Sequence, residues 1–197
     1  MAKYTYPASH IVKIKAVVAE KKRKPETKVW EDASLKVVRS SLKAHMRENR
    51  DDGNKCAHCL KSFHNEHNMN IDIEHILPKG VYSEYTFTLK NLTIACKRCN
   101  LQIKGSDTSF LNDNFNRKKP FKSKYYKITH PVIDENKLTL LDVHFKKVHI
   151  IKYKYGNEKS KNTYDYFKLN EVEIDTINTA QGITPIVDFL SQRLGAK

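Results

Sequence analysis

The clearest helical pattern in the chain lies between Asp32 and about residue 49. Apolar residues recur there at spacings of three or four, and basic residues occupy positions between them. The apolar set is Leu35, Val38, Leu42 and Met46, and the basic set is Lys36, Arg39, Lys43 and Arg47. This spacing predicts an amphipathic helix, with Asp32 as its N-cap.

Shorter patterns lie before and after this helix. The segment HIVKIKAVVAE at 10–20 alternates at its start and fits either a strand or a short helix. DIEHILP at 72–78 and LKNLTIAC at 89–96 predict two strands, the second preceded by a loop. CNLQIKG at 99–105 predicts the first turns of a helix that ends near its glycine.

The last third of the chain is rich in aromatic and β-branched residues up to about residue 167. KVHIIKYKY at 147–155 predicts a strand there, and TYDYFKL at 163–169 fits another. A helix is predicted over 184–195, with Thr184 as N-cap and Pro185 at the first helical position.

Charge divides the chain into four segments. The 197 residues carry a formal net charge of +14. The balance is +8 over 1–50, −2 over 51–96, +9 over 97–154 and −1 over 155–197. Basic segments around an acidic one suit a protein that gathers phosphates and holds a cation. The alternative is that the positive charge only keeps the protein soluble.

The sequence is a poor fit to a membrane-spanning protein or a secreted one. No apolar run approaches the roughly 20 residues that a membrane helix needs. The first residues lack the apolar core of a secretory signal, so we expect a cytoplasmic protein without a membrane partner. In that compartment four cysteines favour reduced thiols or a metal site over disulfides.

The cysteines form two pairs, each with two residues between its members. These are Cys56 with Cys59 and Cys96 with Cys99. Two such turns supply four thiolates, which is enough for a closed tetrahedral Zn²⁺ site that stabilises the fold. The alternative is four unrelated buried or redox cysteines. Nearby histidines at 58, 64 and 67 are expected on the surface.

The segment between and just after the two pairs resembles the HNH nuclease family in its zinc-bound form. The resemblance covers about 54–105. It rests on the acid–histidine pair before ILP in DIEHILP, on the Asn-Leu of KNLTIAC, and on the CxxCNxxxK start of the helix. It implies an α+β fold whose core is a ββα-metal unit held by the zinc site. Segment 1–53 would add a basic helical region, and 106–197 a basic extension of mixed α/β structure.

The resemblance also implies roles for four residues. His75 would be the general base that takes a proton from water, and Asn91 would brace the loop and fix the His75 ring. Glu74 and Asn100 would be ligands of the catalytic cation. Many family members have histidine at the position of Asn100, and an amide oxygen there favours Mg²⁺ or Mn²⁺ over zinc or nickel.

Three basic residues in the same region are candidate phosphate contacts, namely Lys79, Arg98 and Lys104, although each could equally face solvent. Asp72 alternates with Glu74 on the predicted strand and is expected to be a solvated neighbour.

The sequence therefore predicts a metal-dependent endonuclease with DNA favoured over RNA as its substrate. One alternative is a zinc-stabilised nucleic-acid-binding module without catalysis. Another is a nuclease effector that needs a partner such as an ATPase. The segments HPVIDE at 130–135 and KNTYDYFKLN at 161–170 weakly resemble extensions of HNH proteins in bacterial anti-phage systems. A homodimer is the arrangement that would favour double-strand cleavage over nicking.

Overall fold

The computed structural model describes residues 4–24, 28–48, 54–145 and 148–173. The chain divides into two compact units, residues 1–57 with 61–108 and residues 58–60 with 109–197. The described elements of the first unit are α1 (Ala8–Arg23), α2 (Lys36–Glu48), β1 (Ile71–His75), β2 (Leu92–Cys96) and a π-helix (Arg98–Lys104). Those of the second are β3 (Leu138–Phe145), β4 (Val148–Tyr155) and α3 (Glu158–Tyr166).

The amphipathic helix predicted near residue 32 is confirmed as α2. Leu35, Val38 and Leu42 are at most 1% exposed, as their spacing requires. Asp32 caps a short 3₁₀ turn that precedes α2, because its carboxylate accepts the Ser34 N–H at 2.9 Å.

Segment 10–20, whose sequence fits either a strand or a short helix, is helical and lies within α1. Val17 of α1 joins Leu35 and Val38 in a buried cluster, and Ile14 packs against that cluster from one turn earlier. A helix brings Ile14 and Val17 onto one face, which a strand could not do at a spacing of three.

Strands β1 and β2 form an antiparallel hairpin in which Ile71 pairs with Cys96 and His75 with Leu92. The π-helix begins two residues after β2. This order of strand, strand and helix, together with the clustered cysteines described below, is the zinc-held ββα core of the predicted α+β fold.

The second unit contains the antiparallel hairpin β3–β4, followed by α3. The strand prediction over 163–169 is wrong, because α3 covers the first half of that segment. Asn157 and Ser160 form a capping box that starts the helix. Ser160, Thr163 and Phe167 are buried at helical spacing.

The predicted helix at 184–195 lies outside the described residues. In the part of the chain that the structure describes, no helix is long and apolar enough to cross a bilayer.

Candidate active site and metal centre

A cleft of about 1150 Å³ opens in the first unit. Its walls come from α2, the turn Val29–Glu31, β1, the residues around Pro78 and the π-helix. Among the described residues, the cleft is lined by the basic side chains Lys36, Arg39, Lys43, Arg47, Lys79, Lys97 and Lys104 and by the acidic side chains Glu31, Glu48 and Asp72. The cleft therefore carries a net positive charge. Helix α2 alone supplies more than half of its basic side chains.

His75 is the last residue of β1 and lines this cleft. Its Nε2 lies 3.1 Å from the carbonyl oxygen of Thr86. Because a carbonyl only accepts hydrogen bonds, Nε2 carries the proton, which leaves Nδ1 with the lone pair that a base needs.

The environment of His75 keeps its ring neutral. The side chain is 7% exposed, and this burial lowers the pKa of His75 from 6.5 to about 4. The ring of Trp30 lies across it, with ring centroids 4.4 Å apart and planes at 86°. An uncharged imidazole at neutral pH can accept a proton, whereas an imidazolium cannot.

Asn91 is fully buried between the two strands of the hairpin. Its Oδ1 accepts the Leu77 N–H at 2.7 Å, and its Nδ2 donates to the Leu77 carbonyl at 3.1 Å. The same Nδ2 donates to the carbonyl of Tyr85 at 3.2 Å. Asn91 therefore holds together both ends of the loop that presents the Thr86 carbonyl to His75.

Glu74 precedes His75 but does not line the cleft. Its side chain is fully buried, with Oε1 at 3.4 Å from Nζ of Lys104. Lys104, itself only 3% exposed, also donates to the His75 carbonyl at 2.9 Å. The side chains of Glu74 and His75 therefore lie in different surroundings, because adjacent residues of a strand point to opposite faces.

Asn100 contacts Asp72 rather than Glu74 in this structure. Its Nδ2 donates to Oδ2 of Asp72 at 3.1 Å, and both residues line the cleft. Nζ of Lys97 lies 3.6 Å from the other oxygen of Asp72. Asp72 is therefore not the merely solvated neighbour that the alternating pattern suggests, since it is half-buried and paired.

The donor atoms along this side of the hairpin fit a hard divalent cation by their chemistry. Carboxylate and amide oxygens are the ligands that Mg²⁺ and Mn²⁺ prefer. Asp72 and Asn100 supply such oxygens in the cleft, whereas the oxygens of Glu74 are buried, with Oε1 next to Nζ of Lys104.

The four cysteines meet in a single cluster. Their sulfur atoms all lie within 4.8 Å of one another, and Cys56, Cys59 and Cys99 are buried. Tetrahedral Zn²⁺ with bonds of ~2.3 Å places its sulfurs about 3.8 Å apart, so the cluster fits a structural zinc site. The Cys96 N–H donates to Sγ of Cys56 at 3.4 Å, a contact that favours a thiolate.

The first cysteine pair lies in a tight turn of the backbone. Lys55 pairs with Ser62, the Cys56 N–H donates to the Lys61 carbonyl at 2.9 Å, and Leu60 adopts a left-handed φ of 59°. His58 within this turn is 1% exposed and stacks on Phe167. The expectation that this histidine lies on the surface is therefore wrong.

The three candidate phosphate contacts have different positions. Lys79 lines the cleft and pairs with Glu31 at 2.9 Å. Arg98 is half-buried and lies outside the cleft lining. Lys104 lies at the buried floor, next to the His75 carbonyl.

Two parts of the cleft are not predicted from the sequence as functional. One is Trp30, which contacts His75 from 45 residues upstream. The other is the basic face of α2, which the alternation of apolar and basic residues predicts only as a solvated face. The spacing of the basic residues places them on one side of the helix, and this pattern could have indicated a phosphate-binding face. The residues next to Trp30 in the sequence do not indicate a contact with His75.

Residues 56–105, about a quarter of the chain, match the family model described as HNH endonuclease. This range contains all four cysteines, His75, Asn91 and the π-helix. No curated protein and no solved structure matches the chain significantly. The segment that matches this family model is the one that contains the ββα core and the cysteine cluster.

Proposed function

We propose, from the HNH endonuclease domain at residues 56–105, that this protein hydrolyses phosphodiester bonds of nucleic acid with a divalent cation. The observation that carries the proposal is the state of His75 in the cleft. Its Nε2 is fixed on the Thr86 carbonyl, its ring is neutral, and basic side chains surround it.

His75 would act as the general base. Nδ1 takes one proton from a water molecule, and the resulting hydroxide attacks phosphorus in line with the leaving oxygen. The Thr86 carbonyl stabilises the imidazolium that forms, because it accepts the hydrogen bond from the Nε2–H group throughout. Asn91 contributes by fixing the loop that carries this carbonyl.

Glu74 and Asn100 would hold the catalytic Mg²⁺ or Mn²⁺, for which Glu74 would exchange its contact with Lys104 for one with the cation. When bound, the cation stabilises the negative charge on the phosphate and on the leaving oxygen. The four-cysteine site would be closed by its own ligands, and its Zn²⁺ would stabilise the fold without taking part in hydrolysis. Lys79, which lines the cleft, would contact phosphates of the substrate, whereas Arg98 lies outside the cleft lining and Lys104 is buried against Glu74 and the His75 carbonyl.

The proposal extends to the substrate, the location and the partner of the protein. DNA is favoured over RNA because DNA is the usual substrate of the family, and a cytoplasmic location would give access to it. The limited resemblance of 130–135 and 161–170 to anti-phage proteins supports a role in phage defence with an ATPase-type partner or as a homodimer.

A cleavage assay tests this function. Supercoiled plasmid, single-stranded DNA and structured RNA are each incubated with Mg²⁺, Mn²⁺ or EDTA. We expect cutting in either metal and none in EDTA. The variant His75→Ala should lose at least about 100-fold in rate, because a positioned general base contributes 10²–10⁴-fold. His64→Ala, which changes an exposed histidine, is the matched control and should cut normally.

Retention of full activity in His75→Ala would contradict the assigned base. If no substrate is cut but salt-sensitive binding persists, the assay is repeated with an ATPase-type partner encoded beside the protein. Cutting that then appears would support the effector, whereas continued inactivity would favour a binding module.

A further inference from the structure

The basic face of α2 forms one long wall of the cleft. Lys36, Arg39, Lys43 and Arg47 all line it, at spacings of three or four residues. From Lys36 to Arg47 the helix rises about 16 Å, at ~1.5 Å per residue. Phosphates along one strand of a nucleic acid rise about 3.4 Å each in a duplex and lie farther apart when extended. The wall can therefore follow several consecutive phosphates of one strand.

Neutral oxygens hold two of these side chains in place. Nζ of Lys43 donates to the Asn68 carbonyl at 2.7 Å, and Nε of Arg47 donates to Oδ1 of Asn54 at 3.2 Å. These contacts position the cations and leave their charge uncancelled. Preorganised cations bind phosphate with a smaller entropy cost than mobile surface lysines.

The same wall fixes an aromatic ring beside the catalytic base. The guanidinium of Arg39 donates to the carbonyls of Trp30 and Asp32, the latter at 2.9 Å. This ties the turn Val29–Glu31 to α2. Trp30 is half-buried, lines the cleft and contacts both His75 and Phe87. Part of the indole therefore faces the space where a substrate would lie.

We propose that the cleft binds a single-stranded polynucleotide, with its backbone along α2 and one base against Trp30 next to His75. This inference rests on the proposed function and adds the class of substrate. A basic groove combined with an aromatic side chain is the arrangement that binds single strands without sequence preference. In a duplex the faces of the bases are stacked on each other, so an indole at the scissile position has no base to contact.

Binding in buffer without Mg²⁺ or Mn²⁺, and without a chelator so that the cysteine site keeps its Zn²⁺, tests the inference without cleavage. Trp30 is the only tryptophan in the chain, so its emission reports directly on this site. The probes are a 12-nucleotide oligothymidine, the oligouridine of equal length and a 12-base-pair duplex. We expect both single strands to quench the emission and to bind at least 10-fold more tightly than the duplex. The two single strands compared with each other distinguish DNA from RNA.

Variants assign the two contacts separately, with affinity measured by anisotropy of a labelled oligothymidine. Trp30→Leu should weaken binding about 5- to 100-fold, as loss of one stacked base does, and Trp30→Phe should retain most of it. Lys36→Gln should weaken binding several-fold. Lys13→Gln changes an exposed lysine on α1 and is the matched control, with binding expected to stay unchanged.

Equal affinity for duplex and single strand, or no quenching of Trp30 by any bound strand, would overturn the inference and leave the nuclease proposal intact. Conversely, single-strand binding with quenching but without metal-dependent cutting, even after the ATPase-type partner is added, would remove the nuclease proposal and keep the inference. If Trp30→Leu does not fold by circular dichroism, the quenching and the Lys36→Gln result decide the outcome.

Discussion

At the scale of single residues, the position of His75, the proposed general base, depends on hydrogen bonds made by its neighbours. The proton of His75 is placed on Nε2 by one carbonyl, that of Thr86. That carbonyl lies in a loop whose ends are held by Asn91. A buried amide that satisfies several backbone groups is costly to replace, because each group would otherwise be buried without a partner.

Asn91→Ala should therefore lower both stability and activity. The Leu77 N–H is fully buried with its residue and would lose its acceptor, so we expect a loss of about 3 kcal/mol in the free energy of unfolding. Urea denaturation measures this loss, with the exposed Asn68→Ala as control. A change below about 0.5 kcal/mol would show that the amide does not hold the loop.

A second histidine, His130, makes stability depend on pH in the second unit. It is fully buried, and desolvation lowers its pKa from 6.5 to about 4. Its Nδ1 accepts the Val132 N–H at 3.2 Å, and Asp134 accepts the His130 backbone N–H at 2.9 Å. The unfolded chain takes up a proton at a higher pH than the folded chain, so stability falls as pH drops through this window.

From pH 7 to pH 5 the contribution of His130 should fall by about 2 kcal/mol. We expect the wild-type protein to lose that much more free energy of unfolding between these pH values than His130→Gln does. Urea unfolding at both pH values measures the difference. Equal losses in the two proteins would mean that His130 is already protonated in the folded state.

The sequence motifs name candidate site residues but do not predict which of them contact each other. The acid–histidine pair and both asparagines follow from local motifs. However, the contacts of Glu74 with Lys104 and of Asn100 with Asp72 join residues about 30 positions apart. Such pairings depend on how the π-helix packs against β1, which no local pattern specifies.

At the scale of elements, the ββα core is built on two short strands, and the cysteine cluster connects its parts. The two strands have five residues each, and a lone hairpin of that length is marginal in water. Zn²⁺ bound by Cys56, Cys59, Cys96 and Cys99 would fix both ends of the core at once.

Cys99→Ser should therefore reduce bound zinc from one ion per chain to almost none and lower Tm by at least about 10 °C. Elemental analysis of the purified protein measures the zinc, and circular dichroism follows the melting. His64→Ala should keep both values. A full complement of zinc in Cys99→Ser would place the ion elsewhere.

Elements with a clear period are predicted well, and those with mixed signals are not. In α2 the apolar residues recur at spacings of three or four with basic residues between them, and the structure confirms the predicted helix. Helix α3 is aromatic-rich, which favours a strand, whereas its start depends on the Asn157–Ser160 capping box. The helical spacing of Ser160, Thr163 and Phe167 becomes visible only in the structure, because two of these buried side chains are polar.

At the scale of the whole molecule, the net charge of +14 includes the basic side chains that line the cleft, where a nucleic acid would bind. Nucleic-acid binding that releases counterions weakens steeply with salt. We expect affinity for DNA to fall on the order of 10²- to 10³-fold between 50 and 200 mM NaCl.

A double variant tests whether the cleft carries this dependence. Lys36→Gln with Lys43→Gln should reduce the slope of log affinity against log salt by about 1.5 to 2, and Lys13→Gln should leave the slope as it is. An unchanged slope in the double variant would place the electrostatic contact on another face of the protein.

The π-helix has a consequence for how this domain can change in evolution. The Gly105 N–H donates to the Asn100 carbonyl at 2.8 Å, five residues back instead of four. Such a turn is an α-helix with one extra residue, and it is usually less stable than the α-helix from which it derives. Losing one exposed residue, Leu101 or Gln102, would restore the regular helix. That deletion would also rotate Lys104 by about 100° relative to Asn100 and away from the His75 carbonyl. The contact of Lys104 with the His75 carbonyl therefore depends on the extra residue of the π-helix.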